Sequence, residues 1–307
     1  MIYPQLLKEG DCIALVATAR KVNEEEVNPA IKLLQQWGFK VKIPQGLFAE
    51  DNQFAGDDEH RYKILQQELD DEEIKAIWCV RGGYGTVRII DKLNFDKFKA
   101  HPKWIIGYSD ITVLHSHIQQ NHGIATLHAT MPLNISEADL IKQPASISSL
   151  HQALTEGVLK YEFKPHPLNR EGIAAGEIIG GNLSILYSLC GSESDINTDG
   201  KILMIEDLDE YLYHIDRMMQ NLKRTDKLTN LKGLIVGAMS DMHDNTIPFG
   251  QTAEEIIWDA VKEYNYPVCF NAKFGHIGIE NLALPMGITA TMEVEKEDYC
   301  RLKIGEK

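Results

Sequence analysis

Short apolar runs and longer amphipathic stretches alternate through the first half of the chain. Residues 12–17 (CIALVA) form an apolar run of strand length. Residues 24–37 place Val27, Ile31 and Leu34 at helical spacing, and Gly38 follows as a helix stop. The same reading predicts strands over 39–43, 74–80 and Trp104–Gly107, and helices over 60–69, 86–93 and 111–120. Strands that alternate with helices need crossover connections. This half therefore predicts an α/β domain whose mostly parallel sheet is flanked by helices.

The pattern lapses at YEFKPHPLNREG, where two prolines interrupt the periodicity. This lapse predicts an N-terminal α/β domain over 1–160, a linker over 161–172 and a smaller C-terminal α/β domain over 173–307. In the second half, GEIIGGNLSILYSLCGS reads as a strand, a glycine turn and a helix. Residues 201–205 and 233–236 read as buried strands, with a helix over 216–222 between them. The tail, 290–303, alternates apolar and polar residues and predicts an antiparallel hairpin or sheet edge.

Composition changes this picture little, but charge narrows the function. The 307 residues carry 45 acidic and 31 basic side chains, a formal net charge of −14. Such a surface repels phosphate backbones and anionic lipid, which argues against a nucleic-acid or membrane partner. The opening MIYPQLLKEGDCIALVATAR has no basic segment followed by a long apolar run, so it reads as the start of a domain and not as a leader. Cys12, Cys79, Cys190, Cys269 and Cys300 are odd in number, scattered and without a C-x-x-C pair. They predict a reducing cytoplasm, no disulfide framework and no structural zinc.

Three places can carry chemistry. In WIIGYSDIT, Ser109 falls where a strand ends and a helix begins, at the end of the sheet where open α/β folds keep their sites. The amides that follow can stabilise an oxyanion. The G-x-S-x-G elbow pattern fails, however, because position 111 is isoleucine, and on these residues alone a plain helix N-cap is the readier explanation of the serine. In CVRGGYGTVRIID, the amides of Gly82, Gly83 and Gly85 can approach a ligand, with Arg81 or Tyr84 beside it. That turn matches neither a P-loop nor a dinucleotide fingerprint, since Arg88 stands in the third glycine's place, so a tight βα turn is the bland alternative. Third, Glu206 in MIEDLDE and His276 in FGHIG complete the order serine, carboxylate, histidine. Order alone is weak among 11 histidines. His115 and His117 point to different faces of one helix, and His243 near Asp241 reads as a polar surface loop, so no metal site is predicted.

Taken together, GDCIALVATAR, RGGYGTVRIID, IIGYSDIT, IIGGNLSIL, MIEDLDE and FGHIG resemble the LD-carboxypeptidase family, in the family's order and over nearly the whole chain. That family comprises muramoyltetrapeptide carboxypeptidases and the related microcin C self-immunity proteins. The resemblance implies Ser109 as nucleophile, His276 as base and Glu206 as its orienting acid. It also implies an oxyanion hole from the amides of Gly83 and Asp110. Arg81 and Tyr84 are candidates for the substrate, as is Asn182, which can otherwise simply cap the following helix. The implied activity is cofactor-free cleavage of the bond to a terminal D-alanine of cytosolic murein tetrapeptides, by a homodimer. The chain between IIGGNLS and MIED is short, which favours this branch over cleavage of an aminoacyl-nucleotide antibiotic. A non-catalytic small-molecule binding module is the reading from a different class.

Overall fold

A computed structural model describes residues 1–295 and 298–305 of the chain. Among these residues the first half contributes β1 (Cys12–Val16), β2 (Lys40–Lys42), β3 (Ile74–Cys79), β4 (Trp104–Gly107) and β5 (Thr126–His128). They pair in the order β5-β4-β3-β1-β2, all parallel. The helices between them are α1 (Glu24–Gln36), α2 (Asp58–Asp70), α3 (Asp96–Ala100) and α4 (Thr112–His122). α1 starts at a capping box in which Asn23 and Glu26 bond each other's backbone amides. α5 (Asp139–Lys142) and α6 (Ala145–Thr155) follow the sheet.

The second half contributes β6 (Leu159–Phe163), β7 (Gly172–Asn182), α7 (Leu183–Leu189), β8 (Ile202–Leu208), α8 (Leu212–Arg224), β9 (Gly233–Ser240) and α9 (Ala253–Val261). After these come β10 (Val268–Cys269), β11 (Leu284–Met286), β12 (Thr289–Val294) and β13 (Cys300–Ile304). Seven of these strands form a mixed sheet in the order β10-β9-β8-β7-β12-β13-β6. It is parallel from β10 to β7 and antiparallel beyond. β11 leaves its own half and pairs antiparallel with β5 at the edge of the first sheet.

One apolar core runs through both sheets. Leu15, Trp78 and Ile106 of the first belong with Ile202, Met204, Phe274 and Met286 of the second half. Each such side chain contributes roughly 1.5–3 kcal/mol when fully buried. The two sheets therefore hold each other in place, and a cleft between them is set by packing, not by a free hinge. Outer cores lie under α2 and α4 on one side and under α8 and α9 on the other.

Several elements differ from the sequence reading. Residues 86–93 form no α-helix but two short 3₁₀ turns, Thr86–Arg88 and Ile90–Lys92, closed by bonds such as Ile89 N–H to Thr86 O at 3.1 Å. The turn starts from Gly85 at φ +144°, and Val87, Ile89 and Ile90 are β-branched, which weakens a regular helix. Residues 161–163 of the expected linker belong to β6, whose partner β13 lies far away in the chain. The tail forms the hairpin β12–β13, but β13 is interior, because β6 covers its other side. Residues 296–297, between those two strands, and 306–307 lie outside the described residues. No helix among the described residues is long and apolar enough to cross a membrane.

Candidate active site

Ser109 sits just beyond β4 with φ +63°, a left-handed backbone that a non-glycine residue adopts only under constraint. Its 3₁₀ turn, Ser109–Ile111, leads straight into α4. No side-chain cap bond is made at the start of the turn or of the helix, so the hydroxyl is not spent as an N-cap. The missing glycine at position 111 is explained as well. Ile111 packs over Gly107, where a Cβ would lie 2.8 Å from the isoleucine side chain. Crowding across the elbow is relieved from one side only.

Two further contacts lock this elbow onto the glycine turn. A Cβ on Gly82 would lie 3.1 Å from Ser109 Cβ and 3.3 Å from its Oγ, so the Gly82–Gly83 peptide passes directly beside the serine. Asp110 is buried and accepts a bond from Thr86 N–H at 2.9 Å. Burial pushes the Asp110 carboxyl up, although that bond and the Arg61 charge pull the other way. Arg61, fully buried, donates to Thr18 O at 2.6 Å and Gly85 O at 2.9 Å, tying down the other side of the turn.

The acid and the imidazole come from the second sheet. β8 and β9 slip register between Ile205 and Asp207, where β9 bulges and sets its two residues Gly237 and Ala238 opposite the single Glu206. Glu206 is fully buried, and its Oε2 lies 2.6 Å from Nδ1 of His276, the length of a charge-assisted bond. Gly275 makes the approach possible, since at φ +96° a Cβ there would sit 2.3 Å from that same oxygen. Ser240 Oγ donates to the His276 carbonyl at 2.8 Å and steadies the loop. Burial pushes the Glu206 carboxyl up, but the His276 imidazole, aided by the more distant His128, outweighs this and holds it down to about 2. Burial likewise opposes the charged form of His276, yet Glu206, with Asp207 behind it, raises the imidazole above its ordinary 6.5.

Ser109, Asp110, Gly83, Arg81, Asn182 and His276 line one cleft of about 490 Å³ between the two sheets. Glu206 stands behind His276 and does not line it. Tyr84 is also outside the lining; its ring lies 6.1 Å from Phe54 and is half-exposed. Asn182 is fully engaged as the cap of α7. Its Oδ1 accepts from Ile185 N–H at 3.2 Å and Ser184 Oγ at 2.7 Å, and its Nδ2 donates to Asp207 at 3.0 Å. Arg81 donates to Lys21 O at 3.1 Å. Arg20, which sequence reasoning missed, lines the same wall and presses on Gly83; its only signal was its place right after β1. Asp207, Asp209 and Glu210 form the facing acidic wall.

The three histidines weighed for a metal site have separate partners. His243 Nε2 meets Asp209 Oδ1 at 2.5 Å, His117 Nδ1 meets Ser194 Oγ at 2.9 Å, and His115 donates from Nε2 to Gly107 O at 2.9 Å. Burial pushes His115 down to about 3. Among the described residues no group of three or more His, Cys, Asp or Glu is placed to hold a metal ion.

The model of the LD-carboxypeptidase N-terminal domain matches residues 13–129, and that of the LD-carboxypeptidase C-terminal domain matches residues 175–292. The chain belongs to the LD-carboxypeptidase family. These are serine-type carboxypeptidases. A probable murein peptide carboxypeptidase of Bacillus subtilis is 35% identical over 300 residues, covering 96% of this chain and 92% of that protein. The murein tetrapeptide carboxypeptidase of Pseudomonas aeruginosa is 26% identical, with 92% of each chain covered. In three dimensions, muramoyltetrapeptide carboxypeptidase from Oxalobacter formigenes has the same fold, with a TM-score of 0.85 at 24% identity, covering 96% of this chain and 99% of that one. An MccF-like protein from Bacillus anthracis superposes about as well, with a TM-score of 0.83 at 25% identity and 99% of each chain covered. Fold likeness alone therefore does not separate the two branches of the family.

Proposed function

We propose that this protein removes the terminal D-alanine from murein tetrapeptides in the cytoplasm, as a step of peptidoglycan recycling, with Ser109, His276 and Glu206 as its catalytic machinery. The observation that carries the reading is the 2.6 Å bond between His276 and buried Glu206, facing a cleft that Ser109 enters from a left-handed elbow. The relatives from Bacillus subtilis and Pseudomonas aeruginosa, both murein peptide carboxypeptidases by name, support the substrate class.

Ser109 Oγ attacks the carbonyl carbon of the L-configured residue while neutral His276 takes the hydroxyl proton on Nε2. Glu206 holds the Nδ1–H tautomer and stabilises the imidazolium. The amides of Gly83 and Asp110 receive the oxyanion, an effect of roughly 3–4 kcal/mol per donor in other hydrolases. His276 then passes its proton to the departing amine, the C–N bond breaks and D-alanine leaves. Water attacks the acyl-serine, gives its proton to His276, and the serine is restored when that proton returns to Oγ. A carboxypeptidase must also bind its substrate's free carboxylate. Arg20 and Arg81, on the wall beside the glycine turn, are the groups suited to it.

The same proposal includes a homodimer, as the family resemblance implies, which sedimentation would report. The cytoplasmic location is supported by five unpaired cysteines. The deciding experiment is mass spectrometry of a tetrapeptide ending in an L-centre and D-alanine, incubated with the parent and with Ser109→Ala. Loss of one alanine with the parent alone is the expected result. No loss with either would sink the murein reading and turn attention to aminoacyl-nucleotide substrates.

A further inference from the structure

His128 ends β5 and stands opposite Gly107 in the β4–β5 register, two residues from Ser109. It is fully buried, and neither ring nitrogen has a hydrogen-bond partner. Glu206 Oε1 is buried and unpartnered too. These orphans face each other: His128 Nε2 lies 4.0 Å from Glu206 Oε1, while the other carboxylate oxygen is held by His276. Two buried polar groups left unpaired are costly to the fold, and a shift of about an ångström would satisfy both. The ring of Tyr108 fills the space between the histidines, 5.7 Å from His128 and 4.8 Å from His276.

We propose that His128 is a positioning residue of this site, donating Nε2–H to Glu206 Oε1 so that the carboxylate is gripped from both sheets at once. This rests on the assignment of Glu206 and His276 as acid and base. The first sheet then contributes more than the nucleophile, because it also orients the acid that orients the base. A donor on Oε1 spreads the carboxylate charge and lessens its pull on the imidazolium. His128 thereby sets the pH at which His276 becomes a free base. The other titratable groups facing this cluster are Asp207 on β8, Tyr108 after β4 and His115 on α4, whose ring lies 6.4 Å from that of His128.

The test is a pair of variants followed by two readouts. His128→Phe keeps the ring and removes the donor, whereas His128→Gln keeps an amide N–H near the Nε2 position. We expect the phenylalanine variant to lose about tenfold in kcat with little change in KM, and the glutamine variant to recover most of it. NMR titration of the His276 ring protons, which needs no substrate, should show a higher pKa in His128→Phe, and the acid limb of kcat/KM should move the same way. Should His128→Phe not fold, His128→Asn, whose amide falls short of Oε1, takes its place. Unchanged kcat and His276 titration in the donor-free variant would overturn the proposal. So would equal losses in both variants with the titration unmoved, since that marks a packing role. If the parent cleaves no tetrapeptide, the titration still decides the matter, so failure here is separable from failure of the murein reading.

Discussion

The two halves of the molecule prepare their contributions to the site in opposite ways. The first sheet delivers Ser109 by backbone geometry: a left-handed residue, a neighbouring glycine turn at van der Waals distance, and buried Asp110 and Arg61 fastening the loops to each other. The second sheet delivers Glu206 and His276 by electrostatics: a bulge, a buried carboxylate and an imidazole matched to it. Strain holds one half and charge holds the other. The lesson is that the first half's contribution should answer mainly to shape, whereas the pH dependence of the site should centre on the Glu206–His276 pair of the second.

Ser109→Ala should produce the largest effect on turnover, a loss of about ten-thousand-fold or more, with circular dichroism and thermal midpoint unchanged. Glu206→Gln should follow with a loss of about ten-thousand-fold, because the amide can stabilise the wrong imidazole tautomer. Unlike the serine variant it should also lower stability in urea melts, since a buried partner is removed. Gly275→Ala, which touches neither proton path nor nucleophile, should cost at least ~2 kcal/mol of stability and most of the activity, because its methyl collides with Glu206. A variant as stable as the parent would mean that the loop relaxes around it.

pH sharpens the contrast further. As the proposed base, His276 works only when neutral, so the acid limb of kcat/KM should lie above 6.5, the ordinary value from which His276 is raised. A limb below 6.5 would contradict the pairing. For stability the signs are opposite. The Glu206 contribution is present above its ordinary 4.5 and fades as pH falls toward about 2; that of His276 is present below 6.5 and fades as pH rises through its raised value. The pair therefore stabilises the fold most between about 4.5 and 6.5, just below the range where it catalyses best. The smallest effect belongs to the strained half. Ser109→Gly should stabilise the inactive protein by about 0.5–1 kcal/mol, because glycine accepts φ +63° without strain.

Much of the fold was legible because periodicity is a local property. Strands β1 to β4, the span of α1 and the hairpin of the tail all follow from spacing within a few residues. The capping boxes Asn23–Glu26 of α1 and Thr252–Glu255 of α9 are equally local, yet only the structure brought them out. The turns over 86–93 were misread because a short apolar cluster fits a helix as well as a 3₁₀ segment, and the Asp110 bond to Thr86 that shapes them comes from another element. β6 and β11 were hidden for a related reason: each is three to five residues whose partner strand lies far along the chain.

Sequence by itself determined the fold class, the family and the chemical types at positions 109, 206 and 276, because motif order and hydrophobic period need no third dimension. Tertiary structure decided that His276 bonds Glu206 and lines one cleft with Ser109, that Arg20 joins Arg81 while Tyr84 turns away, and that Asn182 serves as a cap bound to Asp207. It also brought His128 up to the back of Glu206. Such relations span two sheets whose mutual placement is set by a shared apolar core, and burial energy summed over that core has no signature at any single position in the chain.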